Sequence, residues 1–401
     1  MSLEHPTASP FHSFWMGGYE CADHQNCFGL RVDLATDSGH LDLLDEDYER
    51  LHAFHIRTVR EGIRWSFVEK RPYEYDWSMV RTMIESGRRQ GIQQIWDLCH
   101  FGYPDDLSPL HPMFARRLAA LSRAFVHFYR SLVPDGPLII TPVNEVSFIS
   151  WLGGEARGTV PYCVNQGWEV KYHLMRAYIE SVAAMREIDP TVLILSTEPL
   201  VNMVPTLDAD EEEQEAARAA HEDQYQAMDI LTGRMCPELG GRPEYLNILG
   251  LNYYYNNQWV VGKGTFLPWV NEPFDPRWRP LRSLLKEAHS RYGCPFILSE
   301  TSHPGEHRPN WTELLAKECA AVLLAGYPLW GVCLYPIIDR PDWDFPDNWH
   351  RAGLWDAEHA EGQLPRRVLF EPYAQALREA QALVLAVSGQ PVALGTAVTR
   401  R

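Results

Sequence analysis

The sequence predicts an α/β protein with the architecture of a (β/α)8 (TIM) barrel. Eight apolar runs of strand length recur along the 401 residues, helical patterns separate them, and the runs end in polar or aromatic side chains. Continuous apolar strands, unlike alternating ones, are typical of a parallel sheet that is buried on both faces. Eight such strands alternating with helices predict a closed barrel whose functional residues lie where the strands end.

The predicted strands share an apolar body and a polar or aromatic C-terminal end. They lie at residues 14–20, 57–63, 92–100, 138–145, 192–198, 246–254, 295–300 and 330–338.

Amphipathic segments between the strands predict helices. In the clearest one, Val80 and Ile84 recur at helical spacing, Asp76 supplies an N-cap and Gly91 a C-terminal stop. The acidic run at 208–215 is interpreted as a solvated helix start, because acidic side chains are favoured near the positive end of the helix dipole. The helices are predicted at residues 45–54, 77–90, 113–132, 168–187, 210–231, 278–292, 311–325 and 372–387.

An open, doubly wound sheet is the alternative architecture. That fold normally carries a glycine-rich phosphate turn after its first strand. The corresponding segment reads Gly17-Gly18-Tyr19-Glu20, which lacks the required glycine spacing. No linker rich in serine, glycine or proline divides the chain, so the sequence predicts one barrel domain over residues 1–387 and a loose C-terminal tail at 388–401.

Charge and composition limit the possible partners. The formal net charge of −17, from 53 acidic and 36 basic residues, argues against nucleic acid or an anionic membrane surface as the main partner. Residues 1–20 lack a basic start followed by a long apolar stretch, and no later segment stays apolar for the roughly 20 residues that a membrane helix needs. We therefore expect a soluble, cytoplasmic protein with a neutral substrate and no membrane partner, whereas the oligomeric state is not predicted.

The cysteines and histidines do not form a recognisable metal motif. The eight cysteines are spread along the chain without paired spacing, and buried free thiols are expected. His303 and His307 have a zinc-like spacing, but Pro304 and Gly305 between them argue against a helix that presents both side chains to a metal. No metal and no nucleotide cofactor are predicted.

Two glutamates at the ends of predicted strands lead to the functional hypothesis. Glu145 ends the fourth predicted strand and Glu300 ends the seventh. Two carboxyl groups that face each other across a sugar can cleave a glycosidic bond, because one donates a proton to the leaving oxygen while the other attacks the anomeric carbon. The 14 tryptophans and 18 tyrosines suit a carbohydrate substrate, since flat aromatic rings stack on the C–H faces of pyranoses.

Other polar side chains end the remaining strands. Adjacent residues on an ideal strand face opposite sides, so Asn144 and Glu145 should lie where the strand breaks into its loop. Glu198, at the end of the fifth strand, is interpreted as a solvated rim residue. The other strand-end candidates are Glu20, Arg60, His100, Asn252, Tyr254, Asp339, Asp342 and Trp343.

Several segments resemble the motifs of glycoside hydrolase family 1 and, more broadly, of the clan A retaining glycosidases. Asn144-Glu145 and residues 298–300 resemble the acid/base and nucleophile motifs that end strands four and seven of that family. Further segments are similar to its motifs, so that the resemblance spans strands two to eight in order. These segments are residues 59–66, 97–104, 250–254 and 331–356.

The resemblance implies a role for each matching side chain. Glu145 would be the general acid/base and Glu300 the nucleophile of a retaining double displacement, with carboxyl groups about 5 to 5.5 Å apart. Arg60 and Tyr254 would support the nucleophile, and Asn144 would bind the sugar 2-hydroxyl. The other residues implied to contact substrate are His100, Asn252, Asp342, Trp343, Tyr335 in place of a family tryptophan, and either Glu20 or Gln25 in place of a family glutamine.

The motifs also depart from the family pattern. Val146 replaces the proline that follows the acid/base, Thr301 and Ser302 follow the nucleophile, and Asp342 is shorter than the corresponding family carboxylate. The sugar is therefore not predicted. The Tyr335-Pro336 bond is predicted to be cis, because the family bends its backbone there and proline lowers the cost of the cis form.

Three functions are compatible with these residues. The preferred one is a retaining β-glycosidase, similar to β-glucosidases or β-galactosidases, that hydrolyses a small glycoside or oligosaccharide or transfers the sugar to an acceptor. The second is a catalytically silent sugar-binding barrel, since the neighbours of both glutamates are altered. The third, a barrel enzyme using paired carboxylates for another reaction such as isomerisation, would ordinarily need a metal site.

Overall fold

The computed structural model describes residues 8–270, 275–359 and 362–388, and its centre is a closed barrel of eight parallel strands. Each strand pairs with the next one along the chain, and the last pairs with the first. The predicted barrel is therefore confirmed, and all eight predicted strands are present. They are β1 (Trp15–Gly18), β2 (Thr58–Gly62), β3 (Gln93–Asp97), β4 (Ile139–Thr141), β5 (Leu193–Pro199), β6 (Ile248–Asn252), β7 (Phe296–Thr301) and β8 (Leu329–Leu334).

Three strands end at least three residues earlier than the sequence predicts. β3 stops before residue 100, β4 before residue 145 and β8 before residue 338. Phe101 and Glu145, just beyond the first two ends, have positive φ angles of 71° and 49°, which a strand does not accommodate. Asn144 and Glu145 thus lie where the strand breaks into its loop, as predicted.

Helices follow each strand. The predicted helix at 210–231 is interrupted by a 3-10 turn at Asp223–Tyr225, and the one predicted from residue 278 begins later because Pro280 is extended, with a ψ of 139°. The acidic helix start is confirmed, since Asp210 and Glu213 cap each other's backbone N–H groups. The main helices are α1 (Leu44–Leu51), α2 (Ser78–Gln90), α3 (Phe114–Leu132), α4 (Gly167–Ile188), α5 (Glu211–Glu222), α6 (Leu281–Tyr292), α7 (Arg308–Leu324) and α8 (Glu371–Ser388).

Short elements that the sequence did not predict lie in the loops. The one closest to the site is the helix Val146–Gly154, which directly follows Glu145. These elements are too short for a periodic pattern to identify them. The others are the helices Leu34–Asp37 and Trp65–Val68, the strands Glu69–Arg71 and Glu74–Tyr75, the sheet of Asn202–Val204, Gln258–Val260 and Thr265–Phe266, and the hairpin of Trp355–Glu358 and Arg366–Leu369.

The barrel interior is filled by apolar side chains below the strand ends. Every strand except β2 contributes one buried side chain to this layer, and the ring of Tyr335 packs on it. Gly18 lets that ring approach β1, because a Cβ atom at this position would lie 2.1 Å from the ring. The seven contributing side chains are Met16, Ile95, Ile139, Leu195, Ile248, Ile297 and Cys333.

Three remaining predictions concern the tail, the cysteines and the membrane. The predicted tail at 388–401 lies outside the described residues except for Ser388, which ends α8. All eight cysteines are free, and five of them are buried, as expected. Among the residues that the structure describes, no helix combines the length and the hydropathy that crossing a bilayer requires.

Replacing Leu195 by alanine would leave a cavity in the barrel interior, since this side chain has no exposed surface. We expect the free energy of unfolding, measured by chemical denaturation, to fall by about 2 to 5 kcal/mol. The control, Leu324→Ala, trims a leucine that is 70% exposed at the end of α7, and should change this free energy by less than about 0.5 kcal/mol. Equal losses in the two variants would contradict the interior position of Leu195.

Candidate active site

Glu300 lies near the end of β7, where the strand is irregular. The register of β7 shifts between Leu298 and Glu300 against β6 and between Leu298 and Thr301 against β8. Such bulges re-aim a side chain at the rim of a barrel. The Oε1 atom of Glu300 accepts a hydrogen bond from Arg60 at 2.9 Å, and its Oε2 atom accepts one from the hydroxyl of Tyr254 at 2.8 Å.

Arg60, on β2, connects the glutamate to two other strands. Its Nη1 atom contacts Glu300, and its Nη2 atom donates to Asp97 Oδ2 at 2.6 Å and to Asn144 Oδ1 at 3.1 Å. The side chain has no exposed surface. Burial by itself would lower the pKa of the guanidinium, but the carboxylates of Asp97 and Glu300 raise it well above its usual value. Arg60 therefore stays charged beside Glu300.

Glu145 occupies a different environment. Its Oε1 atom accepts a hydrogen bond of 2.8 Å from the side-chain amide of Asn252, and its backbone N–H donates to Thr197 O at 3.0 Å. Burial, followed by the negative charge of Glu300, raises the pKa of the Glu145 carboxyl to about 8. Glu145 is thus protonated at neutral pH, which suits a proton donor.

The side-chain oxygen of Asn144 is hydrogen-bonded, whereas its side-chain NH2 group has no partner among the described residues. Its Oδ1 atom accepts hydrogen bonds from Arg60 at 3.1 Å and from the hydroxyl of Thr197 at 2.8 Å. Its Nδ2 atom is buried and has no partner among the described residues. A buried donor without a partner is costly, so this atom is available to a ligand hydroxyl.

His100 belongs to a second cluster next to the Arg60 network. Its Nδ1 atom lies 2.9 Å from Asp97 Oδ2, and its Nε2 atom lies 3.1 Å from the hydroxyl of Tyr335. The rings of His100 and Tyr335 stack with their centroids 5.6 Å apart. The Tyr335-Pro336 bond is cis, as predicted.

Of the two candidates on the first strand's loop, Glu20 joins the cluster and Gln25 does not. Glu20 Oε1 lies 3.7 Å from His100 Nε2, and its Oε2 atom forms an ion pair of 3.0 Å with Arg340. The side-chain amide of Gln25 instead donates to Asp105 at 2.8 Å. Of the two side chains, only Glu20 therefore lies in the His100 cluster.

Trp343 and Asp342 lie in the loop after β8. Trp343 packs edge-on against His24, with ring centroids 4.6 Å apart, and beneath the guanidinium of Arg340. The carboxylate of Asp342 accepts two backbone hydrogen bonds from its own loop, and it lies 2.9 Å from His350 Nε2. The oxygens of Asp342 are therefore engaged within the loop, and this side chain differs from a carboxylate held free for a sugar. Asp339 is buried and accepts from the backbone of Ala352.

Glu198 is buried, so the predicted position as a solvated rim residue is wrong. The residue is only 1% exposed, and its Oε2 atom accepts a hydrogen bond of 3.1 Å from the backbone N–H of Ser147. Burial is the main cause that raises the pKa of its carboxyl to about 7. The helix Val146–Gly154, which the sequence pattern does not predict, covers the end of β5 and removes Glu198 from solvent.

Two groups of potential metal ligands lie in or near this region. Donor atoms of Cys21, Asp97 and His100 lie within 4.8 Å of one another, but Asp97 Oδ2 and both ring nitrogens of His100 already take part in the hydrogen bonds described above. The rings of His303 and His307 lie 5.4 Å apart, and His303 Nδ1 is 2.7 Å from Pro304 O. Both arrangements are better described as hydrogen-bonded or packed side chains, and the absence of a metal stays a prediction.

Removing the guanidinium of Arg60 would leave two buried carboxylates without their cation. We expect Arg60→Met to lower the free energy of unfolding by about 3 to 5 kcal/mol. Adding Asp97→Asn should recover part of that loss, because one unpaired buried charge is then removed. A double-mutant cycle, with each free energy of unfolding measured by chemical denaturation, gives the coupling between Arg60 and Asp97. Arg81→Met is the control, since Arg81 is half exposed and 4.0 Å from Glu85, and it should cost less than about 1 kcal/mol. Strictly additive effects at Arg60 and Asp97 would show that the two side chains are not coupled.

Comparison with known proteins supports the fold. No protein-family model matches the sequence, and no curated protein matches it. A β-glucosidase from Thermotoga maritima in complex with glucoimidazole is 15% identical, with a TM-score of 0.73 over 94% of this chain and 98% of that chain. The virulence factor SghA in complex with its substrate analog salicin is 16% identical, with a TM-score of 0.72 over 93% of this chain and 96% of that chain.

A further structure is described as a family 1 β-glucosidase from Thermotoga maritima. It is 14% identical, with a TM-score of 0.73, and the match covers 95% of this chain and 99% of that chain. The similarity spans nearly the full length of both chains and agrees with the resemblance in the motifs. The chain therefore has the (β/α)8 fold of the family 1 β-glucosidases.

Proposed function

We propose that this protein is a divergent family 1-like retaining β-glycosidase, with Glu145 as the general acid/base and Glu300 as the nucleophile. The observation that carries the proposal is the contrast between the two carboxyl groups. Glu300 accepts hydrogen bonds from the buried guanidinium of Arg60 at 2.9 Å and from a phenol at 2.8 Å, whereas the donor to the Glu145 carboxyl is the neutral amide of Asn252. Burial and the charge of Glu300 raise the pKa of Glu145 to about 8. Two carboxyls in opposed environments can take opposed roles.

In the first step, the carboxylate of Glu300 attacks the anomeric carbon of the sugar while Glu145 donates its proton to the leaving oxygen. The carbon–oxygen bond to the aglycone breaks, and an ester bond to Glu300 forms. The aglycone leaves as a neutral alcohol or phenol. Proton donation in such a step typically contributes roughly 10² to 10⁴-fold to the rate.

In the second step, Glu145 acts as a base. Formation of the ester removes the negative charge of Glu300, which is one of the causes of the high pKa of Glu145. That pKa therefore falls, and the ionised Glu145 can take a proton from a water molecule that attacks the anomeric carbon. The ester bond to Glu300 breaks in the same step, which releases the sugar and regenerates the Glu300 carboxylate. An acceptor sugar in place of water would give transglycosylation by the same step.

The surrounding side chains fit these two steps. The free Nδ2 atom of Asn144 can donate to the sugar 2-hydroxyl, an interaction that strengthens in an oxocarbenium-like transition state. Asn252 orients the acid/base by its 2.8 Å hydrogen bond to Glu145. The aromatic ring of Trp343 is only partly buried and offers a face for a sugar. His100, Glu20 and Asp342 would line the side of the sugar away from the cleaved bond.

Carbohydrate is accordingly the proposed substrate class, and the sugar itself has to be identified by experiment. Structural neighbours were solved with glucoimidazole and salicin, so aryl β-glucosides are the first probes. Aryl β-galactosides, fucosides, mannosides and xylosides complete the panel. These sugars differ in the hydroxyls that Glu20, Tyr335 and Asp342, the side chains that depart from the family pattern, would contact.

Trapping with a 2,4-dinitrophenyl 2-deoxy-2-fluoro β-glycoside that carries the sugar of the best substrate should give a covalent adduct on Glu300, because the fluorine slows both steps and the activated leaving group restores the rate of the first step only. Peptide mass spectrometry identifies the modified residue. Glu300→Gln should abolish the adduct. Glu180→Gln, which changes a partly exposed carboxylate of α4, should leave it unchanged. Sugar binding without an adduct or turnover across the whole panel would contradict catalysis and support a silent sugar-binding barrel.

The pH dependence of kcat/KM follows from the raised pKa of Glu145. The carboxyl is protonated below a pH of about 8 and loses its proton as the pH rises through that value, so kcat/KM should fall on the alkaline side with an apparent pKa near 8. Glu145→Gln should lower kcat/KM by about 10² to 10⁴-fold for an aryl glycoside with a poor leaving group. The loss should be much smaller for a dinitrophenyl glycoside, whose leaving group needs no proton. An equal loss for both substrates would argue against Glu145 as the acid.

A further inference from the structure

The geometry points to Glu198, at the end of β5, as a positioning residue that holds the Asn144-Glu145 turn through the backbone of Ser147 and places its own carboxyl next to that turn. This inference rests on the proposed function, in which Glu145 is the acid/base. The Glu198 carboxyl is hydrogen-bonded to the backbone of Ser147 and not to Glu145 or Glu300, so it would act through the backbone after Glu145 and through its charge.

Two consecutive residues of β5 hold the turn from one side. Thr197 accepts the backbone N–H of Glu145 at 3.0 Å and donates its hydroxyl to Asn144 at 2.8 Å. Glu198 accepts the backbone N–H of Ser147 at 3.1 Å. The end of β5 therefore fixes the backbone on both sides of the proton donor.

This support is needed because the backbone of Glu145 is strained. Its φ of 49° and ψ of 59° lie in the left-handed region, which costs free energy for any residue with a side chain. Such conformations persist only where the surroundings determine them. The hydrogen bond from Ser147 to Glu198 fixes the first turn of the helix Val146–Gly154, and so fixes the direction in which the chain leaves Glu145.

The charge of Glu198 gives a second effect. The groups that face it are Glu145, Lys171 and Tyr178 of α4, and the backbone of Ser147. Burial raises the pKa of Glu198 to about 7, against the opposing effects of Ser147 and Lys171. Above that pH its carboxylate is one of the negative charges that raise the pKa of Glu145. Because both groups are buried, solvent screens this repulsion only weakly.

The isosteric variant Glu198→Gln removes the negative charge of the side chain and keeps its shape. Its amide oxygen can still accept from Ser147, but the negative charge is gone. We expect the pKa of Glu145, followed by ¹³C NMR of carboxyl-labelled glutamate and assigned with Glu145→Gln, to fall by about half a unit or more. The alkaline limb of kcat/KM for 4-nitrophenyl β-glucoside, or for the best substrate of the panel, should move down by the same amount.

Two matched variants control the experiment. Glu180→Gln makes the same charge change on the exposed side of α4 and should leave the pKa of Glu145 unchanged. Glu198→Asp keeps the charge and should keep the pKa of Glu145 high, even if a weaker hydrogen bond to Ser147 lowers kcat. A purely structural role would not distinguish the glutamine from the aspartate variant in this way.

The NMR readout keeps this inference separate from the proposed function. If no glycoside is turned over but the pKa of Glu145 falls in Glu198→Gln, the positioning inference stands and the proposed function fails. An unchanged pKa of Glu145 in a folded Glu198→Gln variant overturns the inference. If that variant does not fold, the titration of the wild-type protein decides between the outcomes. The Glu145 resonance should shift when Glu198 ionises near pH 7. A Glu145 resonance that responds only to its own ionisation overturns the inference.

Discussion

The buried guanidinium of Arg60 is the interaction on which the arrangement of the site depends. It joins Asp97, Asn144 and Glu300, which come from the ends of three different strands. Two carboxylates buried beside it would repel each other and lose hydration, so both require a cation that cannot lose its proton. Arginine meets that requirement, and its planar fork serves both partners at once. The position of Glu300 is therefore determined by the barrel wall and not by a mobile loop.

The second glutamate is placed by breaks in the strands. Glu145 follows the early end of β4 in a left-handed conformation, and contacts from β5 and β6 hold it there. Asn252 donates to Glu145 and accepts from the hydroxyl of Ser299 at 2.6 Å, next to Glu300. Hydrogen bonds through the end of β6 thus connect Glu145 to Ser299, the residue that precedes Glu300, so that movement of this strand end would displace both glutamates.

Much of this arrangement is predictable from sequence, and the exceptions have physical causes. The eight strands are predictable because each is a continuous apolar run, and the contacts of Glu300 with Arg60 and Tyr254 agree with the roles implied by the resemblance. The burial of Glu198 was not predictable, because it depends on a nine-residue helix without a clear pattern. The break of the chain at Glu145 was predicted, but β3 and β4 end at Asp97 and Thr141, earlier than predicted, since non-glycine residues with positive φ, such as Phe101, carry no sequence signal. Glu20 and Gln25 stayed alternatives in the sequence, because their contacts with His100 and Asp105 depend on how distant loops pack.

The departures from the family motifs have a consequence for sugar selection. Glu20 is paired with Arg340, the Nε2 atom of His100 is bonded to Tyr335, and the oxygens of Asp342 are bonded within their loop. A sugar that contacts these groups would exchange existing hydrogen bonds for new ones, which gains little free energy in each case. The unpartnered Nδ2 atom of Asn144 gains a full hydrogen bond instead. For the proposed activity, recognition would then be strongest next to the cleaved bond and weaker at the distant hydroxyls. Polar groups discriminate between substrates most when a wrong substrate leaves them unpaired. In this site the polar groups near the distant hydroxyls already have partners within the protein. We therefore expect weaker discrimination between sugars that differ at these hydroxyls than in a site where the same groups are unpaired.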